Sequence, residues 1–144
     1  MGLTTSRPPK IKGRAVTAKA VVFSRKNKVL LLQKPNGVWD LPGGKLKSGE
    51  RWIEGLAREV FEETGLRIPG PEWVTGWKNG VKPGTPLFKG VFFCQLDSKP
   101  KKLPIIISDE HIGGGFFGLK KIRAMTLPGE YFNAIGLAAE KVGA

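Results

Sequence analysis

Cysteine, histidine and tyrosine each occur once in these 144 residues, as Cys94, His111 and Tyr131. One cysteine excludes an internal disulfide and a cysteine-built zinc site, and one histidine excludes a His-rich metal centre. Cys94 sits in Val91-Phe92-Phe93-Cys94 and reads as a buried apolar filler. No apolar run approaches the roughly 20 residues that a membrane helix needs. Arg7, Lys10, Lys12 and Arg14 precede an apolar stretch that Lys19 interrupts, so no secretory signal is expected. The chain is expected to be cytoplasmic, with no membrane partner. Its sequence sets no oligomeric state, and a homodimer is compatible with it. Acid is scarce as well: 12 Asp and Glu stand against 24 Lys and Arg, and none precedes Asp40.

Five of the twelve acids (Glu50, Glu54, Glu59, Glu62 and Glu63) then fall within fourteen residues. Outside that window the balance is 22 basic to 7 acidic residues, which favours polyanionic partners such as nucleotides or nucleic acid. A merely solvated basic surface explains the excess about as well. It does not explain why the carboxylates sit together.

The length suits one domain, and 40% apolar with 25% charged residues suits a globular one. Residues 1–13 read as a flexible basic arm, with Pro8 and Pro9 opposing helix, and residues 14–144 as a single domain. Strands are expected at Ala15–Ser24, Val29–Gln33, Trp73–Lys78 and Leu87–Leu96, with another starting at Phe116-Phe117. Asn79-Gly80 and Pro83-Gly84 read as turns, and Leu103–Ile107 as a short apolar segment. Helix is expected from about Glu50 to Thr64, capped by Ser48 or Gly49 and ended by Gly65 in the left-handed conformation. A short helical turn at Leu119–Met125 and an amphipathic helix at Glu130–Val142 follow. The order of elements gives an α/β or α+β class.

At about 100° per residue, Ile53, Leu56, Ala57, Val60 and Thr64 form the buried stripe of the first helix. Glu59, Glu62 and Glu63, at i, i+3 and i+4, lie on an adjoining arc. Like charges at that spacing repel by a few tenths of a kcal/mol per pair, and the helix dipole disfavours anions in the last turn. Three carboxylates placed against those penalties suit a hard cation, Mg²⁺ or Mn²⁺.

Gly44, five residues, Glu50, seven residues, then Arg58-Glu59-Val60-Phe61-Glu62-Glu63-Thr64-Gly65-Leu66 resembles the Nudix box of the Nudix hydrolases, with every fixed position filled. The likeness extends in weaker form over residues 14–142, through Trp39-Asp40-Leu41-Pro42-Gly43-Gly44-Lys45 before the box and Ser108-Asp109-Glu110-His111 after it. It implies an α/β/α sandwich with a mixed sheet and a loop–helix–loop metal site. The implied activity is cleavage of a nucleoside diphosphate linked to some moiety X, by water attack on a pyrophosphate phosphorus. By position, Glu59, Glu62, Glu63 and the Gly44 carbonyl would bind Mg²⁺, with Mn²⁺ as a substitute, and Arg58 would pair with Glu50. The general base is left open between Glu62 or Glu63 and Glu110.

Trp39 is a candidate for stacking on a nucleobase, set against half-buried packing. Lys45, with Lys47, Lys82 and Lys89, is a candidate phosphate contact. Trp73 and Trp77, four apart in a strand, are expected to share a face and to pack. His111 reads as structural ahead of phosphate-binding. Gly113-Gly114-Gly115-Phe116-Phe117-Gly118 matches a dinucleotide-loop pattern by accident, since no βαβ unit surrounds it, and reads as a mobile loop. Met1–Ser6 fits a myristoylation pattern too short to weigh. The length and the Trp39–Lys45 entry look MutT-like, which implies a (d)NTP or oxidised (d)NTP as substrate. ADP-ribose, dinucleoside polyphosphates and a 5′-phosphorylated or capped RNA end are alternatives. A non-catalytic Nudix-fold module that binds nucleic acid is the alternative of another class. A module of that kind would be expected to lose the metal glutamates, and all are kept.

Overall fold

A computed structural model describes residues 7–10, 15–79 and 88–144. The Pro83-Gly84 turn, Gly80, Lys82, Leu87 and most of the 1–13 arm lie outside the described residues. The strands are β1 (Val16–Phe23), β2 (Val29–Gln33), β3 (Trp39–Asp40), β4 (Gly43–Lys45), β5 (Glu72–Lys78), β6 (Phe88–Gln95) and β7 (Gly113–Phe117). The helices are α1 (Trp52–Thr64), α2 (Leu119–Ile122) and α3 (Gly129–Val142), with a 3₁₀ turn at Pro100–Lys102. No helix among the described residues is long and apolar enough to cross a membrane.

The strands form one mixed sheet in the order β3-β2-β1-β6-β5. β1 and β6 run parallel from Val16↔Phe88 to Phe23↔Gln95, and the other pairings are antiparallel. β1 is buried along its whole length, as expected of a central strand covered on both faces. Its alternate residues divide between two cores. Val16, Ala18, Ala20 and Val22 join Trp52, Leu56 and Val60 of α1 on one face. Val21 and Phe23 join Tyr131, Ala134, Ile135 and Ala138 of α3 on the other. The result is a helix–sheet–helix sandwich, as the box resemblance implied.

Along its other edge, β1 pairs with β2 at Phe23↔Val29 and with β4 at Thr17↔Lys45, Ala18↔Gly44 and Lys19↔Gly43. The Leu41–Lys45 turn is thereby laid across the first half of β1, directly before α1.

Four expectations are corrected. The N-cap of α1 is Arg51, not Ser48 or Gly49, and its backbone N–H donates to Glu54 (3.1 Å). The stripe is also turned: Ile53 is 48% exposed, and Trp52 takes the place against the sheet. Its indole packs edge-on to Trp73 and Phe88 and donates to the Pro9 carbonyl at 2.9 Å. Trp73 and Trp77 do not share a face, because a register shift against β6 between Trp73 and Thr75 sends Trp73 to the α1 core and Trp77 to the α3 core. Gly113–Gly115 is not a loop but the first part of β7, laddered to Gln33–Leu31. A Cβ on Gly114 would lie 2.7–2.8 Å from Ile107 and Leu32 side-chain atoms, so the glycine is there for close passage.

Candidate active site

The site is built where the β4 turn meets the last turns of α1. Gly43 has φ +132°, and a Cβ there would overlap the Ala18 carbonyl oxygen, so the turn approaches β1 more closely than any side chain permits. Its N–H donates to Glu63 Oε1 at 2.8 Å. Gly44 follows, and a Cβ on it would sit 2.5–2.7 Å from the Glu59 carboxyl atoms. The two glycines therefore seat two carboxylates of α1.

Burial pushes the Glu63 carboxyl up from 4.5 to about 7, against the Gly43 hydrogen bond and the Lys19 charge, with Glu59 and Asp40 adding repulsion. Burial likewise raises Glu59, opposed by Arg58 and reinforced by Glu62 and Glu110. Glu59 Oε2 is buried without a hydrogen-bond partner and lies 3.6 Å from Arg58 Nη1. Desolvated carboxylates this close, facing a C-terminal helix dipole, are under-neutralised.

Arg58 holds the rim. It grips Glu50 through two bonds, Nε to Oε2 at 2.7 Å and Nη2 to Oε1 at 3.0 Å, while Nη1 reaches Glu62 at 3.0 Å and Nη2 donates to the Lys45 carbonyl at 3.3 Å. Its guanidinium holds the Glu50 carboxyl down at about 2, and Glu50 in turn raises the Arg58 pKa. The expected Glu50–Arg58 pair is present. Glu62, half-exposed, is engaged by Arg58, and among the described residues no three His, Cys, Asp or Glu side chains converge on one metal-sized point. Glu59, Glu63 and Gly44 are brought together, and Glu62 stands one ion pair away.

The loop after the 3₁₀ turn closes the other side. Ile106 N donates to the Thr64 carbonyl (3.0 Å), Ser108 N to that of Glu63 (3.2 Å) and Ile112 N to that of Gln33 (2.8 Å). This carries Glu110, itself exposed, close enough to α1 for its charge to raise Glu59. Ser108 Oγ and His111 Nδ1 are buried without partners, and burial lowers the His111 pKa.

On the α3 side, Trp39 is half-buried and packs edge-on to Phe117 at 5.0 Å, with its backbone N–H donating to the Thr126 carbonyl. Lys89 donates to the Tyr131 hydroxyl at 2.9 Å and lies 4.9 Å over its ring. Burial lowers the Lys89 pKa and raises that of Tyr131. Lys45 and Lys47 are exposed on the turn. Lys19 was not among the sequence candidates. It is 8% exposed, and its ammonium donates to Asp40 Oδ2 (3.2 Å), Leu41 O (3.1 Å) and Gly43 O (3.2 Å). The available signal was a lone charge between Ala18 and Ala20 in an otherwise apolar strand.

The chemistry of the buried acids suits a hard divalent cation: they offer carboxylate oxygens, one buried and unpartnered, with no sulfur and no imidazole among them.

A family model described as the NUDIX domain matches residues 13–133. A MutT-like protein of Streptomyces ambofaciens is 39% identical over 69 residues, covering 47% of this chain and 45% of that protein. The human 8-oxo-dGDP phosphatase NUDT18 is 39% identical over 69 residues, covering 38% of this chain and 21% of its own. The matches thus span less than half of these relatives' length. Among solved structures, the MutT protein from Methanosarcina mazei Go1 superposes with a TM-score of 0.67 at 29% identity, covering 92% of this chain and 94% of that one.

Proposed function

The chain belongs to the Nudix family, and we propose that it is a divalent-metal-dependent pyrophosphohydrolase that cleaves the diphosphate of a nucleoside diphosphate linked to a further group. The observation that carries the reading is the pair of desolvated carboxylates, Glu59 and Glu63, seated on the Gly43-Gly44 turn with one carboxylate oxygen buried and unpartnered. A sequence selected for stability alone would not bury two acids at the anionic end of a helix.

In this reading Glu59, Glu63 and the Gly44 carbonyl would hold the cation, Mg²⁺ or Mn²⁺, with Glu62, here paired to Arg58, as a further ligand. A bound divalent ion supplies charge neutralisation for the pyrophosphate oxygens and makes the attacking water more acidic. Arg58, locked by Glu50, fixes the azimuth of the α1 carboxylates and is spent on protein contacts. The attacking water gives its proton to a carboxylate within hydrogen-bond reach, Glu62, Glu63 or Glu110. Backbone bonds from Ile106 to the Thr64 carbonyl and from Ser108 to the Glu63 carbonyl bring the loop that carries Glu110 up to the end of α1.

For substrate we propose a nucleoside triphosphate or an oxidised one. The named activity of the human relative is on 8-oxo-dGDP, an oxidised nucleoside diphosphate, which supports an oxidised nucleotide but says nothing for a third phosphate. Trp39 and Lys45 border the turn that seats the carboxylates and are assigned to base and phosphate contact respectively.

The test is a hydrolysis panel in Mg²⁺ with products identified by mass spectrometry. It contains ordinary and oxidised nucleoside triphosphates and diphosphates, ADP-ribose, dinucleoside polyphosphates, nucleotide sugars and 5′-triphosphate and capped RNA, with Glu63→Gln as the blank. The expected result is a mononucleotide product from one class, absent from the blank. No turnover of any member in Mg²⁺ or Mn²⁺ would sink the enzymatic reading and leave a nucleic-acid-binding module.

A further inference from the structure

We propose that Lys19 is a positioning residue for the cation-holding carboxylates, acting through the Leu41–Gly44 turn; the inference rests on the reading of the site given above. An ammonium has three protons to donate. Those of Lys19 go to Asp40 Oδ2, Leu41 O and Gly43 O, three acceptors within four consecutive residues. None is left for a phosphate, so Lys19 does not act on substrate. What it grips is the segment whose next groups face the carboxylates: Gly43 N–H on Glu63 Oε1, and Gly44 packed on the Glu59 carboxyl. The β1–β4 ladder, Lys19↔Gly43 and Ala18↔Gly44, holds the same segment from the backbone side.

Burying a lysine in a central strand costs free energy that Val or Ala would not. Neutralising Asp40 does not account for it, because two of the three bonds go to backbone carbonyls. Hydrogen-bonding groups behind metal ligands typically change metal affinity 10–100-fold when removed. Charge alone predicts the opposite sign, since removing a nearby cation would let a dication bind more tightly.

The experiment uses the full chain without substrate. Mn²⁺ binding is followed by the electron paramagnetic resonance of free Mn²⁺, and amide exchange is read at Gly43 and Gly44, in wild type, Lys19→Met and Lys19→Arg. Thermal unfolding of each reports folding. For Lys19→Met the expectation is Mn²⁺ affinity lower by about 10–100-fold, with faster exchange at Gly43 and Gly44 in a folded protein. Lys19→Arg keeps the charge but replaces three tetrahedrally disposed donors by a planar fork, and it is expected to lose affinity in the same direction. Unchanged or tighter Mn²⁺ binding by Lys19→Met overturns the proposal. If Lys19→Met does not fold, wild-type affinity and turn exchange in Lys19→Arg overturn it. A wild type that binds no Mn²⁺ removes the reading of the site itself, an outcome distinct from a wild type that binds and a Lys19→Met that binds equally well.

Discussion

Replacing Glu63 by Gln should make the metal-free protein more stable at pH 8 while destroying its activity. The carboxyl is 7% exposed, and burial lifts it from 4.5 to about 7. A group whose folded-state value is raised favours folding below its unfolded value and loses that contribution as pH climbs through the folded one. For Glu63 the window runs from about pH 4.5 to about pH 7. The full difference corresponds to about 3 kcal/mol, and relaxation around the charge brings the expected gain on removing it to about 2 kcal/mol. Gln keeps an oxygen to accept the Gly43 N–H and cannot ionise beside Glu59 and Asp40. At about 2–4 °C per kcal/mol for a domain of this size, its midpoint should rise by about 4–8 °C at pH 8 in chelator. The gain should vanish near pH 4.5, where Glu63 is protonated in both folded and unfolded wild type. Urea or thermal unfolding at the two pH values measures it. A Glu63→Gln protein no more stable than wild type at pH 8, or equally stabilised at both pH values, would refute the claim that this carboxylate is held ionised against its environment.

Three further outcomes follow from the same geometry. Gly44→Ala should fold, since the flexible Glu59 carboxyl can yield to the new Cβ, but it should need at least about tenfold more Mg²⁺ for half-activity; an unchanged metal requirement would mean that Gly44 and Glu59 do not act together. Glu50→Gln should cost about 1–2 kcal/mol at pH 7, allowing for solvent around the Arg58 pair. Because Arg58 holds the Glu50 carboxyl down at about 2, that cost is present above pH 4.5 and disappears as pH falls toward 2, so a difference from wild type that persists at the acid end counts against the pair. Cys94, 4% exposed and pushed up to about 12 by burial, should react with a thiol reagent at pH 8 only as fast as the protein opens, and immediate labelling of the folded chain would contradict its burial.

Local patterns carried far in this chain, and pairings did not. The end of α1 at Gly65, with φ +73°, follows from glycine's tolerance of the left-handed region, and Val29–Gln33 is a strand within the limits its apolar residues suggest. The spacing put Glu59 and Glu63 on one side of α1, because an α-helix presents i and i+4 together whatever it packs against, while Gly44 reaches Glu59 from β4, which is laid against β1. The expected start of α1 falls two residues early, and its expected buried stripe misses Trp52, since which residue of the first turn meets the sheet depends on Trp73 and Phe88 in distant strands. The face of Trp77 was unreadable for the same reason: the shift in β5 exists only relative to β6. Gly113–Gly115 shows the converse error, in which glycine's permissiveness suggested a loop while its lack of a side chain served close strand passage. Lys19 was visible as an interruption in an apolar strand, and the three acceptors that give it a role appear only when residues 40–43 fold back over β1.

The most direct test of the central claim is the metal dependence of hydrolysis. Chelator-stripped wild type, Glu59→Gln, Glu62→Gln and Glu63→Gln are titrated with Mg²⁺ on whichever nucleotide the panel identifies. The account predicts no activity without metal and saturable recovery in wild type. Each variant should be slower by several orders of magnitude with its fold intact. Full activity in chelator, or wild-type turnover in Glu59→Gln and Glu63→Gln, would contradict it.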